Sequence, residues 1–509
     1  MSNVSPNEYL KKILLAPVYE AAVNSDCVLM NRLSSELGNQ IYLKREDQQP
    51  VKSFKLRGAY NRISQLSDAQ LAKGVIAASA GNHAQGMAYA AKQKKIHATI
   101  VMPETTPEIK VDAVRRFGGK WVEIVQHGTS FDAASKYAQA LCVERGLTYI
   151  PPFDDPDVIA GQGTIAREML EQQPDLDTLF VAVGGGGLAA GIAIYVKQLK
   201  PEIKIIAVES EESACLQAAL AAGEPVTLPT VGIFADGVAV KTMGAETFRL
   251  CQQYVDEVMT VSNDEICAAI KDIFDDTRVI AEPAGALSIA AIRKYCQTNQ
   301  VTGHHFGGIL CGANINFHTL RYVSERCELG ERKEAVFAVK IPEVTGSFKR
   351  FCEVLGGINI TEFNYRFANA QQAYVFVGVK LKRGLQEYAE LTTTLAQNGY
   401  EAVDLSNDEL AKLHVRHMVG GKPPVAIAER VFGFEFPEYP GALMHFLNTL
   451  GERWDITLFH YRNHGSDFGR VLLGIQVPDD EALAFTRFLN STGFSYVNET
   501  DNPAYKLFL

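Results

Sequence analysis

Three short segments of the sequence carry residues whose types and spacing could do chemistry. Ser53–Ala59 contains Lys55 between two apolar residues, Gly184–Gly187 is a run of four glycines, and Ser79–His83 combines polar side chains with a glycine. A partly desolvated lysine keeps its amine neutral and nucleophilic, so it can form an imine with a carbonyl group. The backbone N–H groups of a glycine run can bind a phosphate. Together the segments indicate an enzyme with a carbonyl cofactor that carries a phosphate, which is the chemistry of pyridoxal 5'-phosphate.

Lys55 is the candidate for the imine. Its neighbours Phe54 and Leu56 can supply the apolar surface that a neutral amine requires. The alternative is an ordinary solvated lysine at the start of a helix.

The glycine run is the candidate phosphate site. It is flanked by the apolar segments Leu179–Val183 and Leu188–Ala193, whereas a flexible linker would have polar flanks. A strand, a glycine turn and a helix start together direct backbone N–H groups and a positive helix end at one point. The run lacks the Lys-Ser/Thr pair of a P-loop and the Rossmann spacing, which disfavours nucleoside triphosphates and dinucleotides.

Two further segments could line the same site. Ser79 and Asn82, beside Gly81, could bind a substrate carboxylate or a cofactor hydroxyl, or simply cap a helix; His83 is interpreted as structural. Cys311 follows an apolar strand. It is either a buried inert thiol or a weak hydrogen-bonding partner for the pyridine nitrogen of the cofactor.

The elements that must position these residues alternate between strands and helices. Strands are predicted at 74–78, 98–102, 179–183 and 203–209, and helices at 84–92, from 107, and at 188–199. Such alternation predicts an α/β fold with parallel sheets and helices on both faces. Ligands bind outside the carboxyl ends of the strands in such folds, and the candidate loops fall there.

Length and composition narrow the class of protein. A chain of 509 residues should form several domains, and a net charge of −10 argues against a nucleic-acid surface. No signal peptide and no apolar run of membrane-spanning length is apparent, so no membrane partner is expected. The nine cysteines show no metal-ligand spacing, which predicts reduced thiols in a cytoplasmic protein and no metal site.

The last third of the chain contains an internal repeat. Phe337–Lys349 resembles Phe432–Met444, and Ile360–Arg366 aligns with Ile456–Arg462 after one inserted residue. Each copy is predicted as a strand, a Pro-x-x-x-Gly turn, a helix (347–355 in the first copy, 442–450 in the second), a strand, and then another strand (373–380 in the first copy, 470–476 in the second). This is the start of a ferredoxin-like unit. The pattern is similar to the ACT-like domains that sense amino acids; a duplicated structural module is the alternative. The expected domains are 1–325 with two α/β subdomains, a linker at 326–334, and repeats at 335–408 and 409–509.

These motifs together resemble those of the biosynthetic threonine dehydratases, a family of fold-type II pyridoxal phosphate enzymes, over nearly the whole chain. The resemblance implies that Lys55 carries the cofactor with Phe54 against its ring, that Asn82 binds its 3-hydroxyl, and that Cys311 faces the ring nitrogen, where serine is usual. The remaining site residues implied by the family are Gly184, Gly185, Gly186, Gly187 and Leu188 for the phosphate, and Ser79, Ala80, Gly81, Asn82 and His83 for the substrate carboxylate.

The resemblance also implies a reaction. Lys55 would remove the Cα proton of L-threonine, and the cofactor phosphate would assist loss of the hydroxyl, giving 2-oxobutanoate and ammonia. Serine racemases of the same class have a second catalytic serine at the position of Ala80, so alanine here favours a lyase. Serine dehydratase, or another β-eliminating or β-replacing enzyme such as cysteine synthase, is one alternative; a catalytically silent amino-acid sensor is another.

A doubled regulatory unit resembles that of the isoleucine-synthesising form of the family. It implies inhibition by isoleucine, opposition by valine, and a homotetramer. Aromatic and arginine side chains of the repeated strands could contact an apolar amino-acid effector and its carboxylate, or belong to the sheet core. The candidates are Phe363, Tyr365, Arg366, Phe459, Tyr461 and Arg462.

Overall fold

The chain forms two compact units, residues 1–317 and 318–509, in a computed structural model. The structure describes residues 4–342, 350–351, 354–355, 358, 360–366, 372–417, 429–437, 446, 449, 453–454, 456–462 and 468–509.

The first unit contains ten strands and thirteen α-helices within its described residues. Its strands are β1 (Cys27–Leu29), β2 (Gln40–Arg45), β3 (Val75–Ala78), β4 (Ala98–Met102), β5 (Val122–Gln126), β6 (Thr148–Tyr149), β7 (Thr178–Ala182), β8 (Lys204–Ser210), β9 (Glu257–Val261) and β10 (His305–Leu310). Its helices are α1 (Pro6–Leu14), α2 (Asn31–Leu37), α3 (Lys55–Ser64), α4 (Asp68–Lys73), α5 (Asn82–Lys94), α6 (Glu108–Gly118), α7 (Phe131–Arg145), α8 (Pro156–Gln172), α9 (Gly187–Leu199), α10 (Cys215–Ala222), α11 (Ala245–Tyr254), α12 (Asn263–Thr277) and α13 (Leu287–Asn299).

These strands form two sheets. One has six strands in the order β1-β2-β10-β7-β8-β9, and the other has four in the order β5-β4-β3-β6. All neighbouring strands are parallel except β1 and β2. The predicted α/β fold with parallel sheets is therefore confirmed.

The central strands are buried along their length. Every residue of β3, β4 and β7 is buried, as expected for parallel strands covered by helices on both faces. Their sequences are nearly continuous apolar runs, which is why the strand positions could be predicted from hydrophobicity. Three parallel strands end at the candidate segments: β3 before Ser79, β7 before the glycine run, and β10 before Cys311.

The second unit contains five α-helices and eight strands whose bounds the structure describes. The helices are α14 (Thr319–Gly330), α15 (Leu385–Gln397), α16 (Glu409–Leu413), α17 (Ala482–Ser491) and α18 (Pro503–Phe508). The strands are β11 (Glu334–Pro342), β12 (Ile360–Arg366), β13 (Gln372–Lys380), β14 (Glu401–Asp404), β15 (Glu429–Pro437), β16 (Ile456–Arg462), β17 (Phe468–Gln476) and β18 (Ser495–Asn498).

Two antiparallel sheets of identical order form this unit. They run β12-β13-β11-β14 and β16-β17-β15-β18, which is the strand order of a ferredoxin-like fold in both copies. The two copies share an irregularity as well, because the register shifts between Ile360 and Glu362 in one and between Ile456 and Leu458 in the other. The duplication predicted from the sequence is therefore visible in backbone pairing.

One predicted feature, the linker, differs from the structure, and others lie partly outside the described residues. The polar segment predicted as a linker at 326–334 is occupied by the end of α14 and the start of β11. The helices predicted at 347–355 and 442–450 lie mostly outside the described residues. The six effector candidates lie on β12 and β16. The structure describes the backbone of these two strands and not their side chains. In the part of the chain that the structure describes, no helix combines the length and apolarity needed to cross a membrane.

Candidate active site

Lys55 is the first residue of α3 and is half-buried. The Nζ atom donates a hydrogen bond of 3.1 Å to the carbonyl of Pro152 and lies 5.4 Å from the centroid of the Phe54 ring. Burial lowers the pKa of Lys55 to about 8, and the nearby carboxyl group of Glu282 acts in the opposite direction. A substantial fraction of the amine is therefore neutral near pH 8, as a nucleophile or a proton acceptor requires.

A short backbone bridge holds the lysine against the end of β10. Ser53 pairs with Gly312, and the N–H of Phe54 donates to the carbonyl of Cys311 at 3.1 Å. Lys52 adopts a positive φ of 60°, which turns the chain into this bridge. The buried Ser53 Oγ has no hydrogen-bond partner among the described residues.

The glycine run forms the turn between β7 and α9. Gly186 has a φ of 88°, and α9 begins at Gly187. A Cβ on Gly185 would lie 2.2 Å from the Phe153 ring, and one on Gly184 would lie 2.9 Å from the Cα of Val238. Only glycine fits both positions. The first N–H groups of α9 have no partner within the helix, so they are available to an anion.

The Ser79–His83 loop leads into α5. Ser79 Oγ accepts from the N–H groups of Gly81 and Ala84, each at 3.3 Å, so it caps the start of this helix. Ala80, Gly81 and Asn82 are half-buried, and a Cβ on Gly81 would meet nothing within 4 Å. The loop therefore leaves space in front of the helix start.

His83 is buried one residue further along α5. Its Nε2 lies 3.0 Å from the carbonyl of Ile150. Burial and the nearby Lys55 lower the pKa of His83 to about 3. The imidazole is therefore neutral at physiological pH and can donate from Nε2 to the carbonyl.

Asn82 belongs to a hydrogen-bond network that the sequence analysis missed. Its Nδ2 donates to Glu282 Oε1 at 2.6 Å, and its Oδ1 accepts from Asn314 Nδ2 at 2.8 Å. Glu282 Oε2 accepts from the N–H of Asn314 at 3.0 Å. Burial, reinforced by Asp236, raises the pKa of Glu282 to about 7. A carboxylate in the small-residue segment 281–286 was the signal that could have identified it, since buried carboxylates need partners.

Cys311 is buried beside this network. Its thiol lies 3.6 Å from the carbonyl of Ile309, and burial together with Glu282 raises its pKa above the ordinary range of a thiol. The group therefore keeps its proton and can act as a weak donor.

The segment that follows β6 is a second feature that the sequence analysis missed. Pro152 accepts from Lys55, the Phe153 ring covers the glycine turn, and Asp154 accepts from the N–H groups of Ala245, Glu246 and Thr247 at the start of α11. Asp155 caps α8. The sequence signal was the pair Asp155-Pro156, which is typical of a helix start. This pair predicts the helix cap but not the contacts of Pro152, Phe153 and Asp154.

A fully buried cluster of charges anchors α3 behind the lysine. Arg57 Nη2 lies 2.7 Å from Glu46 Oε1, and Arg57 Nη1 lies 2.5 Å from Glu168 Oε1. Lys44 Nζ contacts the other oxygen of Glu168 at 2.7 Å. The charges of two positive and two negative side chains thus balance one another in a cluster that is buried from solvent.

These features fit pyridoxal phosphate. The pocket offers an amine of lowered pKa, a helix start with free N–H groups, and the unpartnered Ser53 hydroxyl. The second hydrogen of Asn82 Nδ2 is available to an oxygen acceptor, because the amide is already oriented by Glu282 and Asn314.

Comparison with known families gives two matches. The family described as "Pyridoxal-phosphate dependent enzyme" matches residues 18–312. The "C-terminal regulatory domain of Threonine dehydratase" matches residues 325–415 and 425–509, which correspond to the two copies of the repeat.

Whole-chain relatives agree with these matches. The biosynthetic L-threonine dehydratase IlvA of Escherichia coli is 58% identical over 502 residues, covering 99% of this chain and 97% of the relative. The mitochondrial threonine dehydratase of Saccharomyces cerevisiae is 49% identical and covers 99% of this chain and 89% of its own length. Among solved structures, the processed threonine deaminase isoform 2 of Solanum lycopersicum has a TM-score of 0.61 at 49% identity, covering 63% of this chain and 92% of that one.

Proposed function

The chain belongs to the biosynthetic threonine dehydratases, and we propose that Lys55 is the residue through which it holds pyridoxal phosphate and acts on its substrate. It is a pyridoxal-phosphate dependent lyase that converts L-threonine to 2-oxobutanoate and ammonia, the first step of isoleucine synthesis. The observation that carries the assignment of Lys55 is its half-buried side chain beside the Phe54 ring and the Pro152 carbonyl, where burial lowers its pKa to about 8.

Pyridoxal phosphate, when bound, supplies an electron sink that makes the Cα proton of an attached amino acid acidic. Lys55 is the base that takes this proton, because its amine is neutral in a large fraction of molecules near pH 8. Gly184–Gly187 and Leu188 would hold the phosphate at the start of α9, and Asn82 would bind the 3-hydroxyl of the cofactor. The protonated thiol of Cys311 would supply a weak donor for the pyridine nitrogen, and Phe54 would supply apolar surface for the ring.

The start of α5 is the proposed site for the substrate carboxylate. A helix start favours an anion, and the space in front of Gly81 supports this assignment. Ser79, Ala80, Gly81, Asn82 and His83 form the loop. Because Ala80 has no group that can move a proton, it supports elimination rather than racemisation.

The lysine assignment is tested by reduction with borohydride, which makes a reversible lysine–cofactor bond permanent, followed by peptide mapping. The label should lie on Lys55 in the wild type, and Lys55→Ala should lose the cofactor absorbance and threonine turnover. Lys73→Ala, at an exposed lysine that ends α4, is the matched control and should keep both. A label on another lysine would overturn the assignment.

Regulation by isoleucine, opposed by valine, is proposed for the C-terminal unit. Its support is the duplicated regulatory domain and the position of the candidates Phe363, Tyr365 and Arg366 on β12 and Phe459, Tyr461 and Arg462 on β16. Both strands lie at the edge of their sheets. An effector can change the activity only if it binds one conformational state of the enzyme more tightly than another.

Two experiments test this regulation. Deletion of residues 335–509 should leave a threonine-cleaving enzyme that is indifferent to isoleucine; inhibition that persists would contradict the assignment. In the full chain, Arg366→Ala and Arg462→Ala should each weaken isoleucine inhibition if both repeats bind a carboxylate. An effect of only one variant would assign effector binding to that repeat.

The substrate preference is tested separately, by comparing the rates of 2-oxo acid release from threonine and from serine.

A homotetramer in the cytoplasm is the proposed state of the protein. The family resemblance supports the assembly, and the eight described cysteines, all free thiols, suit a reducing compartment. Sedimentation velocity at several concentrations tests the assembly, because a tetramer that persists on dilution and a monomer give different sedimentation coefficients.

A further inference from the structure

We infer that Thr247 and Cys215 are positioning residues for the cofactor phosphate. Their side chains bind the carbonyl groups of Gly184 and Gly185 on the side of the turn away from the phosphate site. The N–H groups of Gly185 and Gly186 then point toward the phosphate. The inference rests on the proposed function, since it assigns the glycine turn to the phosphate.

The hydrogen bonds behind the turn carry the argument. Thr247 Oγ1 donates to the carbonyl of Gly185 at 2.7 Å, and Cys215 Sγ donates to the carbonyl of Gly184 at 3.3 Å. A trans peptide unit is planar, so its N–H points opposite to its C=O. Holding the Gly185 carbonyl therefore fixes the direction of the Gly186 N–H, and holding the Gly184 carbonyl fixes that of the Gly185 N–H.

Glycine makes this control necessary. Gly186 has a φ of 88°, and glycine peptides rotate more freely than those of any other residue. A Cβ on Gly186 would lie 3.0 Å from the Cβ of Thr247 and 2.5 Å from Met243 Cε. The turn therefore rests directly on Thr247, with no space for water between them.

Thr247 is itself held in place. It is fully buried in the first turn of α11, where Asp154 accepts its N–H at 3.1 Å. Its hydroxyl lies 3.1 Å from the carbonyl of Gly244 but only 2.7 Å from that of Gly185. The single hydroxyl proton therefore serves Gly185, the closer acceptor.

Cys215 is held as a donor in a similar way. It is fully buried at the first residue of α10, whose next two N–H groups donate to Glu209 at 2.7 and 2.8 Å. Burial and the neighbouring Glu209 raise the pKa of Cys215 to about 12. The thiol keeps its proton, which it can donate to the carbonyl of Gly184 or to the carboxylate of Glu209.

The test compares Thr247→Val with Thr247→Ser in the full-length enzyme. Valine keeps the shape but removes the donor, whereas serine keeps the donor. Two quantities are measured: the dissociation constant of pyridoxal phosphate for the apoenzyme, and the ³¹P resonance of the bound phosphate in the holoenzyme. Thr178→Val, at a buried threonine of β7 that bonds Asp177, is the matched control.

We expect Thr247→Val to weaken cofactor binding about tenfold, since a buried carbonyl is left unpaired, and to shift the ³¹P resonance. Thr247→Ser and Thr178→Val should keep wild-type values. A Thr247→Val enzyme with wild-type affinity and resonance would overturn the inference, as would a serine variant as impaired as the valine variant.

Cys215 gives an independent comparison if the valine variant does not fold. Cys215→Ala should weaken binding and shift the resonance, Cys215→Ser should not, and Cys296→Ala serves as the control for a buried thiol of α13. An alanine variant with wild-type values overturns the inference. A wild-type enzyme whose cofactor is labelled on Lys55 but whose ³¹P signal is that of free phosphate ester overturns the inference while leaving the assignment of the lysine intact.

Discussion

Asn82 and Glu282, which are 200 residues apart, are joined by a hydrogen bond of 2.6 Å from Asn82 Nδ2 to Glu282 Oε1. The other carboxylate oxygen accepts the backbone N–H of Asn314 at 3.0 Å. Both oxygens of Glu282 thus face donors, which determines the orientation of the Asn82 amide before any ligand binds. Asn82 can then present a hydrogen to the cofactor without rearrangement.

Replacing Glu282 by glutamine should weaken cofactor binding. The amide oxygen of the glutamine can accept a hydrogen bond from only one of the two donors, Asn82 Nδ2 and the N–H of Asn314, and its NH₂ group faces the other donor. One buried donor left unpaired costs about 1–3 kcal/mol, so the dissociation constant of pyridoxal phosphate should rise roughly tenfold. Titration of the apoenzyme measures it. Glu257→Gln, at an ion pair with Lys204, is the control, and equal affinities for the two variants would refute the role of Glu282.

The pH dependence of cofactor capture should report the lowered pKa of Lys55. The neutral amine is the nucleophile, and its fraction increases with pH, so the capture rate should rise with a midpoint near 8 and then level off. An ordinary lysine would place the midpoint near 10.5. Stopped-flow absorbance measures the rate. His83 stays neutral throughout because its pKa is about 3, so it adds no inflection. A rate still rising steeply at pH 10 would contradict the depressed pKa.

Cys311→Ser should leave most dehydratase activity intact. A hydroxyl is a stronger donor than a thiol, and both are neutral at physiological pH. A neutral hydrogen bond contributes about 1 kcal/mol, so kcat for threonine should change by no more than roughly fivefold. Steady-state kinetics, with cofactor content determined from absorbance, measures this. A serine variant that binds the cofactor fully but does not turn over threonine would show that the thiol has a specific role.

Arg57→Met should destabilise the catalytic unit severely. It leaves the carboxylates of Glu46 and Glu168 buried with Lys44 as the remaining cation of the cluster. Removing one partner of a buried ion pair costs about 3–5 kcal/mol. Urea unfolding followed by circular dichroism measures it. Arg115→Met, at an exposed arginine paired with Glu108 and Asp112, should cost less than about 1 kcal/mol. Similar losses in both variants would exclude a special contribution of the buried cluster.

Local patterns in the sequence were sufficient for much of the fold. The strand at 98–102 was predicted with the bounds that the structure has, and the helix after the glycine run begins one residue earlier than predicted. Buried parallel strands are apolar along their length, and a glycine turn marks where such a strand ends. The repeat could be predicted because β12 and β16 have the same residue at five of their seven corresponding positions.

The supporting contacts of the site could not be predicted in the same way. Glu282, Thr247 and Asp154 act through partners far away in the sequence, and no local pattern states which strand end a distant side chain will meet. Thr247 is an ordinary residue of an amphipathic helix until the fold brings it beneath Gly185. The helix that covers part of the predicted linker at 326–334 has a different cause, since Arg326, Cys327 and Leu329 are buried and give this charged segment a packed face.

The bridge between Ser53 and Gly312, together with the bond from Asn314 to the carbonyl of Val51 across 263 residues, has a consequence for biosynthesis. A chain growing on the ribosome exposes its lysine early, but the segment that completes the wall around it emerges only when most of the catalytic unit has been translated. Vitamin B6 aldehydes react indiscriminately with exposed amines. A nascent or truncated polypeptide therefore lacks the enclosure that makes this amine selective, and coenzyme loading must await near-complete synthesis of the unit.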